Sequence, residues 1–100
     1  MPKRHVPGDR PLNYRVAQRA IHDLWKNGEV VWSHHATLRM RERGLTDLDV
    51  GHMLLNGRVV EHRGSFRGWR YTVAGRTVEG DSASCSVAIE GRLIIITVIG

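Results

Sequence analysis

The spacing of apolar residues changes once along this chain, from a helical period before Gly57 to alternation after it. A single switch of this kind confines the chain to the α+β class. The expected architecture is two to three N-terminal helices packed on a C-terminal antiparallel sheet of about four strands. One hundred residues provide for one modest core and no second domain.

Residues 1–10 carry Pro2, Pro7 and Gly8 among basic groups, lack apolar periodicity, and read as a basic flexible arm ahead of a single α+β domain over 11–100. From about Leu12, Ala17, Ala20, Ile21 and Leu24 recur at helical spacing, and Asn27-Gly28 supplies a stop. Glu29 to Trp32 is short and apolar, either a brief strand or an extended link. Ser33 can cap a helix running through Arg43, with Gly44 taking the left-handed position that ends it. Thr46 and Asp49 have capping-box spacing for a third helix that buries Val50, Met53 and Leu54.

Past Gly57, Val59-Val60 opens a first strand, and Trp69, Tyr71 and Val73 share one face of a second while Arg70 and Thr72 take the other. Cys85, Val87 and Ile89 share a face of a third. Glu90-Gly91 turns into Leu93 to Ile99, which is apolar on both faces and is expected to be central. Residues 76–84 form a polar loop with no assigned course.

Net charge is +5 with a pI of about 10.3, and with lysine only at positions 3 and 26, arginine makes up 13 of the 15 basic residues. Arginine favours forked contacts to phosphate or carboxylate, so a polyanionic partner fits, as does a surface merely kept soluble by scattered charge. The lone Cys85 excludes an intramolecular disulfide and reads as a small buried hydrophobe, consistent with a cytoplasmic location. No apolar run approaches the length of a membrane span. His34, His35, His52 and His62 have none of the spacings of a zinc motif, so no metal or other cofactor is expected.

The segment from Ser33 to Gly44 holds the chemistry. On a helix, His35, Arg39 and Arg43 form one polar ridge beside an apolar stripe of Ala36 and Met40. A histidine can move protons near neutrality, and guanidiniums can hold a phosphate while charge develops on it. These are parts of a metal-independent RNA cleavage site. The bland reading is an arginine-rich helix face that is simply solvated. Arg70, Arg76 and Tyr71 are further candidates for gripping RNA, although Tyr71 lies in register with Trp69 and Val73 and so favours the core.

His35-Ala36, Arg39-Met40, Arg43-Gly44-Leu45-Thr46 and the apolar helix after them resemble the bacterial family called domain of unknown function 4258. The likeness continues through Trp69-Arg70-Tyr71 to Leu93–Val98, about the last two thirds of the chain. That resemblance implies helices on an antiparallel sheet similar to the RelE and MqsR ribonuclease toxins, and a zinc-finger antitoxin as partner. By motif position it assigns His35, Arg39 and Arg43 to the active site of a toxin-like endoribonuclease. The alternative is a non-catalytic basic module that binds RNA or an acidic partner protein.

Overall fold

A computed structural model describes residues 10–65 and 68–100, so the proposed basic arm lies outside the described residues except for exposed Arg10. Asn13 starts α1 (Tyr14–Asn27) by accepting the Val16 N–H, which places the helix start two residues after Leu12. Ala17 and Ile21 are buried, with Leu24 and Trp25 beside them. The chain then forms β1 (Val30–Trp32), a true strand, and passes through Ser33 into α2 (His34–Arg43). The Ser33 hydroxyl accepts the Ala36 N–H, and Gly44 closes α2 at φ 68°, a conformation that disfavours a Cβ.

α3 (Asp47–Asn56) begins with the full capping box: Thr46 accepts the Asp49 N–H, and the Asp49 carboxylate accepts the Thr46 N–H at 3.0 Å. Asp49 also accepts the Val78 N–H at 2.9 Å, tying the helix start to the loop after the third strand. Four strands follow: β2 (Arg58–Ser65), β3 (Gly68–Arg76), β4 (Ser82–Ile89) and β5 (Leu93–Ile99).

The sheet order is β1-β5-β4-β3-β2. It has five strands, not four, and it is mixed: β1 runs parallel to β5, while every other pair is antiparallel. The helices are also not all N-terminal to the sheet, since β1 precedes α2 and α3. Both differences come from Val30–Trp32, whose partner is some 60 residues away in sequence and leaves no local signal. β5, expected to be central, is interior but second from the edge, with β4 in the middle, and β1 covers it only from Leu93 to Ile95. Beyond that point α2 lies along β5, with Ser33 donating from its amide to the Ile95 carbonyl and from its hydroxyl to the Ile96 carbonyl.

All three helices feed one core. Ala17 and Ile21 of α1, Ala36 of α2, and Val50, Met53 and Leu54 of α3 meet Val59, Tyr71, Val73, Cys85, Val87, Leu93, Ile95 and Val98 of the strands. By alternation the opposite face carries Arg63, Arg70, Thr72, Ser84, Ser86, Ala88 and Ile94, none of which joins that core. The two-sided apolarity of β5 is thereby explained: Leu93, Ile95 and Val98 are buried, whereas Ile94 and Ile96 stay half-exposed on the face away from the core.

Gly57 joins α3 to β2 in a space that admits no side chain, because a Cβ there would overlap the carbonyl oxygens of Ala74 and Met53. Gly57→Ala is expected to cost ~1–3 kcal/mol, since rigid backbone must move to admit the methyl group, with thermal unfolding as the readout. The amide bonds from Thr46 and Val78 hold the Asp49 carboxyl below its ordinary value of 3.8. A depressed folded-state value gives stabilisation that is complete above 3.8 and lost as pH falls through the folded value. Asp49→Asn is therefore expected to flatten the acid limb of the stability–pH curve.

Candidate nucleic-acid interface

Helical geometry across α2 sets His35, Arg39 and Arg43 on one side, in steps of four residues spanning ~12 Å of axis. His35 is exposed and has no hydrogen bond or ion pair among the described residues. Arg39 stands 3.6 Å from Glu42, an exposed pairing too weak to occupy the guanidinium. Arg43 differs. Its Nη1 donates to the Gly100 carbonyl at 3.4 Å, and it lines a depression of about 370 Å³ that also holds Asp49, Glu79 and Asp81. Three carboxylates around that opening repel a phosphate, so the open part of the ridge is His35 and Arg39.

Arg70 is exposed on the sheet face away from the helices, where it lines a depression of about 220 Å³. Ala88, Ile94 and Ile96 belong to the same depression, as do Glu90 and Ser33. Ser33 is the N-cap of α2, so the helix turn carrying His34 and His35 begins at its wall. Directly across the β2–β3 pair from Arg70 is Arg63, also exposed. Two like charges in register destabilise a strand pair slightly unless an anion lies between them. Sequence reading missed Arg63 because its register with Arg70 depends on the hairpin.

The other sequence candidates do not gather here. Arg76 is six residues further along β3, ~20 Å away, where its Nη1 donates to the Gly80 carbonyl at 2.9 Å and braces the loop into β4. Tyr71 has to be withdrawn from the RNA-facing set: alternation along β3 turns it into the core, where it is 1% exposed. Its hydroxyl accepts the Leu12 N–H at 2.9 Å. Burial raises the phenol above its usual value, opposed by that amide bond.

Burial likewise pushes the Cys85 thiol up to about 12, leaving it a neutral core group and no nucleophile near pH 7. His52 donates from Nδ1 to the Arg76 carbonyl, and His62 stacks edge-on between Tyr14 and Trp69. Among the described residues no three His, Cys, Asp or Glu side chains assemble as a metal-ligand set. No helix among them is long and apolar enough to cross a membrane.

A second basic surface went unread in the sequence. Arg15, Arg19, His22 and Lys26 line a groove of about 700 Å³ between α1 and the α3–β2 junction, and Arg58 faces it from β2. Their spacing of four, three and four is visible in the sequence, but only the packing of α1 against the α3–β2 junction turns that polar side into a groove.

The profile of a family described as "Domain of unknown function (DUF4258)" matches residues 32–99. The chain belongs to that family. The family segment opens at the last residue of β1 and closes at the end of β5, so it takes in Ser33, the α2 ridge and Arg70 while α1 lies outside it. No curated protein and no solved structure matches the chain.

Tyr71→Phe leaves the Leu12 amide without its acceptor and is expected to cost ~1–3 kcal/mol in a denaturant titration.

Proposed function

We propose that this protein is a basic RNA-binding module of the toxin type, gripping phosphates with Arg39, Arg63 and Arg70. The observation that carries this reading is the place of Ser33. It caps α2 and at the same time walls the sheet-face depression that Arg70 lines, so the helix carrying the family's His-Arg motif starts at that depression, and Arg63 stands in register beside Arg70. Arg70 beside a shallow apolar floor, with Arg63 paired across the strands and Arg39 further along α2, suits a nucleotide strand, with charge on the phosphates and Ile94 and Ile96 beneath a base. An excess of five positive charges on the chain adds long-range attraction for the same ligand. In a toxin pair, an acidic antitoxin would compete for this face.

Cleavage is the second reading, and exposed, unpaired His35 favours it. In that scheme His35 takes the proton from a ribose 2′-hydroxyl as the resulting oxyanion attacks the adjacent phosphorus. Arg39 stabilises the charge that builds on the phosphate, and the leaving 5′-oxygen takes a proton from a second group. Glu90 lines the depression but makes no hydrogen bond with a histidine among the described residues, so binding ranks ahead of turnover.

The test is end-labelled RNA incubated with purified protein in the presence of chelator, scored for both retention and strand breaks. Arg39→Ala and Arg70→Ala are each expected to weaken retention roughly tenfold, the effect of losing one charge-assisted contact, while His35→Ala leaves it unchanged. Unaltered retention in both arginine variants would remove this face as the binding site. Strand breaks made by the wild type and abolished in His35→Ala, with the circular dichroism spectrum intact, would put cleavage first.

A further inference from the structure

We infer that the groove between α1 and β2 is a second polynucleotide track, one that holds single-stranded RNA by its phosphates and presents an aromatic platform at one end. The inference takes RNA as the polynucleotide from the preceding section and is otherwise independent of the α2 ridge and the sheet-face depression.

Four observations support it. First, Arg15, Arg19 and Lys26 recur along one side of α1 together with His22, a row of ~16 Å, and Arg58 joins them from β2. Second, these four fixed cations face a single carboxylate in the groove, Asp23, and none has an ion-pair or hydrogen-bond partner among the described residues. Cations left unpaired around a groove of about 700 Å³ form a concentrated positive field with room for a chain.

The third observation selects the ligand. Tyr14 lines the groove at 40% exposure and is held edge-on against His62 at 5.5 Å. A basic groove that carries an exposed tyrosine ring fits single strands, whose unstacked bases seek π faces, whereas an acidic peptide has no use for it. The fourth is a cost the fold carries at this place. The Nε2 of His22 is buried without a hydrogen-bond partner, the only side-chain nitrogen or oxygen in that state among the described residues. Buried polar atoms are nearly always satisfied, and this one belongs to a side chain that lines the groove.

The experiment is fluorescence anisotropy with a labelled oligouridylate of about 12 nucleotides, titrated with the whole protein between roughly 50 and 200 mM salt. Arg19→Ala/Arg58→Ala should weaken binding at least tenfold at the low-salt end and reduce the log–log salt slope by about 1.4, two contacts at ~0.7 each. Arg41→Ala/Arg92→Ala loses the same charge elsewhere on the surface and should leave the slope within error of the wild type. Tyr14→Ala should weaken binding without altering the slope, as expected for a stacking contact.

An unchanged slope and affinity in Arg19→Ala/Arg58→Ala would overturn the inference, whatever Arg39→Ala and Arg70→Ala do in parallel. A wild type that fails to bind the oligonucleotide at all would overturn it as well. If only the Arg39 and Arg70 variants lose affinity, the groove is excluded while the sheet-face reading stands. If only the groove variant does, the sheet-face reading falls and this one holds. Equal competition by polyglutamate of matched charge would make the occupant an acidic protein and end the RNA assignment, and tighter binding of oligodeoxythymidylate would make it DNA.

Discussion

The position of α2 depends on Ser33, and through it so does the surface to which function is assigned. Besides the two bonds its carbonyl accepts from Thr37, three hydrogen bonds fix this residue: its amide donates to Ile95, its hydroxyl donates to Ile96, and the same hydroxyl accepts from Ala36. The first two fasten the end of β1 to the middle of β5, and the third starts the helix at the place where strand pairing stops. α2 therefore packs against the part of β5 that lies beyond its pairing with β1, with Ala36 in the core.

This arrangement divides the molecule by face. One side of the sheet is closed by three helices over aliphatic side chains and Tyr71. The other keeps small and polar residues at its centre, with Arg63 and Arg70 toward one end. Excess positive charge is thus carried by surfaces on both sides, on the uncovered sheet and along the polar side of α1, while the carboxylates of Asp49, Glu79 and Asp81 gather near Arg43. Arg39 and Arg43 are one helical turn apart, yet the second sits among carboxylates contributed by α3 and the 77–81 loop.

Much of the local structure was legible. Asn27-Gly28, Ser33, Gly44 and the Thr46–Asp49 box act on atoms within four residues of themselves, so their roles follow from side-chain chemistry and helix geometry alone. The facing of Tyr71 against Arg70 was also readable, because alternation on a strand needs no knowledge of its partner. The match to residues 32–99 agrees with the resemblance read from the Ser33–Gly44 motif and the strands after it. What could not be read was pairing at a distance: β1 with β5, Arg63 with Arg70, and α1 with the start of β2. A three-residue strand has too few side chains to show a period, and its energy comes from a partner some 60 positions away.

The sequence by itself therefore determined the α+β class, the helix caps, the burial of Cys85 and the common side shared by His35, Arg39 and Arg43. Each of these follows from interactions within a few residues or from counting apolar groups. Only the tertiary structure decided that the sheet is mixed and that Arg43 lies among carboxylates while Arg70 shares a depression with the N-cap of α2. It alone opened a basic groove against α1. Charge and concavity at a surface are sums over residues that the chain brings together from distant positions, and no local pattern contains that sum.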